Sequence, residues 1–263
     1  WYYDTGIRNG EKQRYSPNNV SVHDGYLDII GKGNVVDSDK TNNAVAAGVV
    51  GKHIKDCSSG SIIAGGKQNF RYGYWEVRAK LTNACSSWPA FWTCGWDKDA
   101  QTTGAANWPL TGEIDYMELM CVNSKNEPKS PTGKTNTDKA YGVHLHYGLK
   151  EYTSLDNCTV FKHYPRDPGN VWTKDGKQLA EKWHTYGMLW NENVIKITMD
   201  GEVRMVLDTS PEALANNKEI IAFTDSTGKK WTAQEAKNAV MKANPFNAYE
   251  QYPIINLAIG GSG

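Results

Sequence analysis

Apolar and polar residues alternate along several short stretches of the chain, and residues typical of turns separate these stretches. The alternation is clearest over 72–81, where every second residue is apolar and the residues between are mostly charged, as in a half-buried strand. Asp-Gly pairs at 24–25 and 200–201 predict two-residue turns, and the first of them lies within a hairpin over 18–30. The same criteria predict further strands over 61–64, 88–96, 112–119, 143–147, 159–164, 183–190, 194–199, 202–207 and 254–259.

Short helices are predicted in 209–245. A Ser-Pro pair at 210–211 provides an N-cap and a proline at the first helical position. A Thr-x-x-Glu capping box at 232–235 opens a second helix. That helix must end near Asn244, because a proline disfavours helical geometry at the residue before it. Loops are predicted over 122–139 and 165–176, and a loop or irregular edge strands over 31–56.

The order of these elements predicts one all-β domain. Many short strands separated by turns are typical of a sandwich or a barrel. The sequence shows no internal repeat and no linker, so we expect a single domain over 1–263.

The charge and the hydropathy of the chain argue against nucleic-acid binding and against a membrane-spanning helix. Lysine plus arginine and aspartate plus glutamate are both 29, so the formal net charge is zero. A neutral chain without a basic face gives no support for nucleic-acid binding. No apolar run reaches the roughly 18 residues that a membrane-spanning helix needs. No signal peptide is visible, although one could have been removed before Trp1.

The chain has an odd number of cysteines, which leaves at least one free thiol. Neither a CxxC pair nor a Cys/His spacing typical of zinc is present, so no metal site is assigned. One or two disulfides are compatible with export, but the sequence does not pair them. The five cysteines are Cys57, Cys85, Cys94, Cys121 and Cys158.

Aromatic composition favours a carbohydrate ligand. The chain has 10 Trp and 14 Tyr but only 5 Phe. Tryptophan and tyrosine combine a flat apolar ring with a polar edge, which suits both the C–H faces and the hydroxyls of sugars. Most of these rings are nevertheless expected to pack in the interior.

Three carboxylates lie close together within 112–118. On a regular strand Glu113 and Asp115 share one face, and Glu118 falls on the other because its offset from Glu113 is odd. One extra residue near 116–117, a β-bulge, would return Glu118 to the shared face. Two carboxylates that flank a scissile bond are what glycoside hydrolysis requires. The alternative is a solvated edge strand with an acidic outer face.

This acidic stretch resembles the E-x-D-x-x-E signature of glycoside hydrolase family 16, in the bulged version of laminarinases and agarases. Residues 88–92, Trp-Pro-Ala-Phe-Trp, resemble the strand before that signature in laminarinase-type members. Further stretches resemble the family pattern in the same order along the chain: 9–15, 20–29, 70–81, 144–148 and 255–261. The resemblance implies a β-jelly-roll sandwich of two curved antiparallel sheets with a concave substrate cleft.

The chain departs from the family pattern in three places. The pattern usually continues into another strand after the Gly-Gly pair at 260–261, and a first outer strand is expected before Trp1. We therefore expect a catalytic domain trimmed at both ends. Residues 209–248 are longer than the usual connection, and they either shape one end of the cleft or decorate the surface.

The resemblance also implies roles for the acids. Glu113 would be the nucleophile and Glu118 the general acid and base of a retaining hydrolysis. Asp115 would orient Glu113 by a hydrogen bond and help to keep Glu118 protonated. Three acids this close are expected to titrate as a coupled set.

Substrate-binding residues follow from the same resemblance. Trp92 and Trp108 look like cleft tryptophans that stack on sugars, with core packing as the alternative. Glu76 and Arg78 look like a pair that binds sugar hydroxyls, with a solvated ion pair on an outer sheet as the alternative. We assign the remaining tryptophans of the predicted strand 183–190, Trp183 and Trp190, to the core.

Five further residues complete the predicted substrate site. His146 matches the family histidine near the nucleophile, whereas His144, on the same face, has no match. Asn256 matches a strand asparagine that could instead satisfy buried backbone groups. At the most distant sugar subsites the resemblance implies Asn9 and Arg14, together with Glu11.

These observations predict a retaining endo-β-glucanase acting on β-1,3- or mixed-linkage β-1,3-1,4-glucan. The alternatives are a galactan hydrolase of the agarase, porphyranase or carrageenase type and a non-catalytic β-glucan-binding protein. No cofactor is required for this chemistry, and the family resemblance allows a structural Ca²⁺ without naming its ligands. We expect a secreted, cell-surface or periplasmic monomer whose partner is the polysaccharide, with neither nucleic acid nor membrane involved.

Overall fold

A computed structural model describes the strands and helices that surround the acidic stretch. The described residues are 1–5, 11–33, 57–82, 84, 87–97, 102–103, 108–119, 140–149, 169–172, 179, 182–218, 220–225 and 227–260. The strand predicted over 159–164 lies outside them, as do most of the predicted loops over 31–56 and 165–176, the whole of the loop over 122–139, and Asn9.

Nineteen strands occur within these residues. They are β1 (Tyr2–Tyr3), β2 (Arg14–Tyr15), β3 (Val20–His23), β4 (Tyr26–Ile29), β5 (Lys32–Gly33), β6 (Cys57–Ser59), β7 (Ser61–Ile63), β8 (Gly73–Lys80), β9 (Ser87–Asp97), β10 (Thr102–Thr103), β11 (Glu113–Glu118), β12 (Ala140–His146), β13 (Gly169–Trp172), β14 (Trp183–Trp190), β15 (Val194–Met199), β16 (Glu202–Asp208), β17 (Phe223–Thr224), β18 (Lys230–Trp231) and β19 (Glu250–Ile259). The helices are α1 (Pro211–Ala215), α2 (Ala233–Ala243) and α3 (Pro245–Ala248), and a short 3₁₀ turn spans Pro17–Asn19.

Two antiparallel sheets form the sandwich, which confirms the predicted all-β jelly-roll class. The main sheet has the order β1-β7-β19-β9-β11-β12-β13, with β10 paired to β9. The second sheet has the order β16-β15-β14-β8. Three smaller sheets flank them: β2-β6-β5, β3-β4 and β17-β18.

The core lies between the two sheets. Phe91 and Ile114 of the main sheet and Tyr186 and Ile197 of the second sheet are among its buried side chains. Burial of each such side chain contributes about 1.5–3 kcal/mol to folding. Trp190 is 1% exposed, so its assignment to the core is confirmed.

Trp183, at the start of β14, corrects the sequence-based assignment to the core. Its side chain is 44% exposed. The ring lies 5.6 Å from that of Tyr26, centroid to centroid, and under the guanidinium of Arg78. Apolar character alone placed Trp183 in the interior, whereas its position at the end of a strand leaves one side of the ring on the surface.

Both Asp-Gly turns form as predicted. Asp24 and Gly25 connect β3 to β4, with φ of 49° and 80°. Asp200 and Gly201 connect β15 to β16, with φ of 52° and 77°. Positive φ at both central residues gives a turn whose twist matches that of the flanking strands.

The helices of 209–248 form where they were predicted and take part in the core. Thr232 and Glu235 make the reciprocal capping box at the start of α2. Buried side chains of all three helices join the core between the sheets: Leu214, Ala236, Val240 and Phe246. The segment is therefore more than a surface decoration. No helix among the described residues has the length and apolar character needed to cross a membrane.

Helix α3 also supports the start of β11. Gly112 has a φ of 78°, which a side chain would strain. A Cβ at this position would lie 3.2 Å from both Phe246 and Pro245. The ring of Phe246 in turn packs edge-on against Tyr147, just after β12. The acidic strand is thus fixed where it begins.

Gly95 in β9 permits a close approach to the residues before β11. Its amide donates to the carbonyl of Gly112 at 2.9 Å. A Cβ on Gly95 would lie 2.0 Å from the carbonyl oxygen of Thr111 and 2.5 Å from its Cβ. Main-chain atoms cannot yield as a flexible side chain can, so only glycine fits here.

We expect Gly95→Ala to lower the free energy of unfolding by about 1–3 kcal/mol or more, because the added methyl group overlaps the Thr111 carbonyl. Chemical denaturation measures the loss. Gly33→Ala is the matched control, since a Cβ there meets no atom within 4 Å, and we expect it to change stability by less than about 0.5 kcal/mol. Equal stability of the two variants would contradict the close approach.

Candidate active site

Strand β11 contains the predicted bulge. Against β9, Asp115 pairs with Trp92 and Met117 pairs with Phe91, which leaves Tyr116 as the extra residue. The register against β12 shifts in the same interval. Tyr116 and Met117 both lie in the core, 2% and 0% exposed. The odd offset between Glu113 and Glu118 is thereby corrected.

The three carboxylates share the face of the main sheet that points away from the core. Glu113 pairs with His146, Asp115 pairs with His144, and Glu118 pairs with Gly142. Directly paired residues of an antiparallel ladder place their side chains on the same face. The strand is central and the side chains of the three acids are only 17%, 4% and 11% exposed. The alternative of a solvated edge strand is therefore wrong.

Nitrogen atoms from outside their own strand lie against Glu113 and Asp115. Trp108 Nε1 donates to Glu113 Oε2 at 2.7 Å. His146 Nε2 lies 3.1 Å from Asp115 Oδ2 and 3.7 Å from Glu113 Oε1. His146 and Trp108, both expected at the site, are thus brought to the acids, and their rings lie 5.7 Å apart, centroid to centroid.

Glu118 has two partners that the sequence did not identify. Trp88 Nε1 donates to its Oε1 at 2.9 Å. His144 Nδ1 makes a hydrogen bond with its Oε2. One signal was available for His144: it lies two residues from His146 on a strand and therefore shares its face. Trp88 could have been found in the same way from its even offset to Trp92.

Burial and mutual repulsion change the ionisation of the acids. Burial, and then the charge of Asp115, raise the pKa of Glu113 to about 8. Burial, and then the charge of Glu118, raise the pKa of Asp115 well above its ordinary value, while the charge of His144 lowers it. A hydrogen bond also joins Glu113 to Asp115. Two adjacent buried carboxyls of this kind favour sharing one proton near neutral pH.

Trp92 lies on the face of the acids, as predicted. Its Nε1 donates to Asn256 Oδ1 at 2.7 Å, and Asn256 Nδ2 donates to the hydroxyl oxygen of Tyr15 at 2.9 Å. Asn256 is 7% exposed, and its buried side chain links Trp92 to Tyr15. Trp92 also packs against a small cluster on this face that includes Tyr252. The stacking of sugars on Trp92 and Trp108 stays a prediction.

The structure contradicts the expectation that Glu76 and Arg78 bind sugar in the cleft. Their strand β8 belongs to the second sheet, paired with β14. Trp75 and Val77 point into the core, so the intervening charged side chains point out on the far side of the sandwich. Glu76 accepts a hydrogen bond from Tyr74, and the Arg78 guanidinium lies over the ring of Trp183. Both side chains lie on the outer sheet, as the alternative expected, but the contacts of Glu76 and Arg78 are with Tyr74 and Trp183 rather than an ion pair with each other.

The residues expected at distant subsites are partly described. Asn9 lies outside the described residues. Arg14 is in β2, next to Tyr15, and neighbouring side chains of a strand point to opposite faces. Glu11 is buried and accepts from Gln13 Nε2 at 2.5 Å, so it belongs to the contacts that tie this segment to the end of β19. Their contact with sugars stays a prediction.

Within the residues that the structure describes, clusters of three or more potential metal ligands occur only at the acids. Two sets of ligand atoms lie within 4.8 Å of one another: Glu113, Asp115 and His146, and Asp115, Glu118 and His144. Each set includes a histidine nitrogen, whereas Ca²⁺ prefers oxygen ligands alone. Neither set therefore corresponds to the expected structural calcium. Cys57 is a free thiol and Cys94 is buried in β9, while the other three cysteines lie outside the described residues.

We expect Glu113→Gln to stabilise the protein more at pH 8 than at pH 5. Between its ordinary pKa of 4.5 and the raised pKa of about 8, Glu113 binds a proton in the folded chain but not in the unfolded chain. The free energy of unfolding of the wild type therefore falls as pH rises through this window, by up to about 1.4 kcal/mol per pH unit. Glutamine removes this group from the titration.

Thermal unfolding at the two pH values measures the difference. Glu192→Gln is the control, because Glu192 is exposed in the turn between β14 and β15. A gain for Glu113→Gln that is no larger at pH 8 than at pH 5 would contradict the raised pKa.

Comparison with known proteins finds both similar sequences and similar solved structures. No family model matches the chain. Glucan endo-1,3-beta-glucosidase A1 of Niallia circulans is 27% identical over 277 residues, which cover all of this chain and 32% of that protein. Keratan-sulfate endo-1,4-beta-galactosidase of Sphingobacterium multivorum is 40% identical over 166 residues, 63% of this chain and 31% of that protein. The chain thus spans about a third of the length of these curated relatives.

One solved structure is matched over a larger share of its own chain than these relatives are. A crystal structure of a variant of SCLam, a non-specific endo-beta-1,3(4)-glucanase from family GH16, matches with a TM-score of 0.61 and 25% identity. The match covers 99% of this chain and 78% of that one. Together with the two-sheet sandwich and the bulged strand that carries three acids on one face, this match shows that the chain resembles members of glycoside hydrolase family 16.

Proposed function

We propose that the chain is a retaining endo-β-glucanase that hydrolyses β-1,3-glucan, mixed-linkage β-1,3-1,4-glucan, or both by double displacement. The observation that carries the proposal is the bulge at Tyr116, which puts Glu113 and Glu118 on one face with Asp115 between them. Retaining glycosidases need two carboxyls about 5–5.5 Å apart on either side of the scissile bond. SCLam, at 25% identity, supports glucan as the substrate.

In the first step, the Glu113 carboxylate attacks the anomeric carbon while Glu118 gives its proton to the departing glycosidic oxygen. The products are a glycosyl ester of Glu113, a Glu118 carboxylate and a shortened glycan. In the second step, Glu118 takes a proton from water, the hydroxide attacks the same carbon, and the Glu113 carboxylate is released. Both steps are balanced by these two side chains alone, so the chemistry needs no cofactor.

Asp115 allows Glu113 to be ionised as the nucleophile. The two acids are hydrogen-bonded, and burial with the charge of neighbouring acids raises the pKa of both, so one proton between them is favoured. When Asp115 holds this proton and donates to Glu113, the nucleophile is ionised without a second full charge beside it. Trp108 and His146 also direct nitrogens at Glu113. Positive charge that develops on the sugar in the transition state further favours the Glu113 carboxylate.

A second candidate substrate has a specific observation in its favour. One of the two curated relatives described above is named a keratan-sulfate endo-1,4-beta-galactosidase, and its identity of 40% over 166 residues is higher than that of the glucan endo-1,3-beta-glucosidase. A galactan or a galactose-containing glycan would use the same acids with different contacts to the sugar hydroxyls. A non-catalytic glucan-binding role has less support, because all three acids are present and share one face.

The remaining expectations accompany this proposal. A polysaccharide substrate cannot enter a cell intact, which supports a secreted, cell-surface or periplasmic location. A monomer, a single domain over 1–263 and a structural Ca²⁺ stay predictions.

Product analysis separates the candidate substrates. We expect soluble oligosaccharides of several lengths from laminarin or barley β-glucan, and none from agarose, porphyran or keratan sulfate. Release from keratan sulfate alone would replace the glucanase proposal with the galactosidase candidate. No release from any of the five glycans by folded protein would contradict hydrolysis altogether.

Replacement of either catalytic acid tests the mechanism. We expect Glu118→Gln to lower kcat by about 10²–10⁴-fold, the usual contribution of a general acid, and Glu113→Gln to lower it at least as much. Glu192→Gln, on the exposed turn, keeps the wild-type rate. NMR of the first product reports its anomeric configuration. We expect retention, and an inverted product would rule out double displacement.

A further inference from the structure

Glu118 is held at both of its carboxyl oxygens by side chains from two different strands. Trp88 of β9 donates to Oε1 at 2.9 Å, and His144 of β12 bonds to Oε2 through Nδ1. The side chain of His144 is 22% exposed and that of Glu118 is 11% exposed. These contacts are therefore largely shielded from water, which makes each hydrogen bond stronger than on the surface.

His144 reaches Glu118 because Gly142 leaves room for its ring. In the register of β11 and β12, His144 lies opposite Asp115, and the position opposite Glu118 is Gly142. A Cβ on Gly142 would lie 2.7 Å from Cε1 of His144. The imidazole thus leans along its strand over Gly142 and occupies the space that a side chain there would fill.

His146 leans in the same direction and serves the other acids. It lies opposite Glu113 in the register, yet its Nε2 is nearer to Asp115 than to Glu113. The two imidazole rings are 6.3 Å apart, centroid to centroid. The histidines therefore divide the site, with His144 at Glu118 and His146 at Asp115 and Glu113.

We propose that His144 is the positioning residue of Glu118: its Nδ1–H fixes the plane of the carboxyl group, so that the catalytic proton is carried on Oε1 and aimed at the glycosidic oxygen. The proposal rests on the function proposed above. Gly142 is part of the same device, since it provides the space for the ring. The sequence pattern of family 16 gave no role to His144.

The two carboxyl oxygens of Glu118 can accept both hydrogen bonds and still carry the catalytic proton. Each carboxyl oxygen has two acceptor sites. Oε2 accepts from His144, and Oε1 accepts from Trp88 and still carries the catalytic proton on its second site. When that proton passes to the leaving oxygen, Glu118 becomes a carboxylate. The bond from His144 then strengthens, because hydrogen bonds to an ionised acceptor are about twice as strong as neutral ones. His144 keeps its own proton in both steps.

This role predicts a dependence on the leaving group. A natural glycosidic oxygen needs a proton to leave, whereas a dinitrophenolate does not. We expect His144→Gln to lower kcat about 10²-fold on the glycan that the wild type cleaves. On the dinitrophenyl glycoside of a fragment of that glycan, we expect a loss of less than about 10-fold. His146→Gln, which affects the nucleophile, should slow both substrates alike.

Two further variants separate positioning from a general loss of structure. His184→Gln removes a matched histidine–carboxylate pair on the second sheet, where Nδ1 lies 2.7 Å from Asp200, and should leave both rates unchanged. Gly142→Ala keeps His144 but displaces its ring, so it should reproduce the selective loss on the glycan. Equal losses on both substrates for His144→Gln, or full activity of Gly142→Ala, would overturn the proposal.

A measurement that needs no turnover tests the role of His144 separately from the proposed hydrolysis. ¹⁵N NMR of the histidine rings reports which nitrogen carries the proton. We expect Nδ1 of His144 to be protonated in the wild type and its resonance to shift in Glu118→Ala, whereas Asp200→Ala shifts only His184. An Nδ1 without a proton, or insensitive to Glu118→Ala, would overturn the role of His144 even in an active enzyme. If the wild type cleaves no glycan but the resonance responds as expected, hydrolysis fails and the contact stands.

Discussion

A single extra residue, Tyr116, decides on which side of the main sheet Glu118 lies. Side chains alternate strictly along a strand, so a regular β11 would point Glu118 into the core, among rings such as Phe91 and Tyr186. An unpaired carboxylate there would cost several kcal/mol. The bulge removes this conflict and instead brings the third acid beside the other two. Both Tyr116 and Met117 then bury their side chains, which offsets the local loss of pairing.

The repulsion among three neighbouring carboxyls is compensated by nitrogen donors on the adjacent strands and on the segment before β11. Trp88 and His144 contact Glu118, while Trp108 and His146 contact the other two acids. Burial would otherwise favour the neutral form of every acid, and the raised pKa values of Glu113 and Asp115 show that this tendency persists. The balance leaves a hydrogen-bonded pair of acids with raised pKa values and a third acid that is held at both of its oxygens.

The site depends on a second layer that contains no acid. Gly95 allows β9 to approach the residues before β11, and Phe246 of α3 packs at Gly112, where the acidic strand begins. On the other side, Asn256 links Trp92 to Tyr15. Asn256 and Tyr15 are 241 positions apart along the chain. Each of these contacts joins distant segments, so the geometry of the acids is set by most of the sandwich.

The sequence by itself determined the fold class, the two Asp-Gly hairpins, the capped helices, the bulge and the shared face of the acids, because each follows from a local period, turn or cap. The alternation of apolar and polar residues also placed Glu76 and Arg78 on the opposite face of their strand from Trp75 and Val77. It could not say to which sheet β8 belongs, so it could not tell that this polar face points away from the acids. The partners of Glu118 escaped for the same reason: Trp88 and His144 lie 30 and 26 residues from it in sequence. Only the pairing of strands, which is a tertiary property, brings them to one carboxyl group.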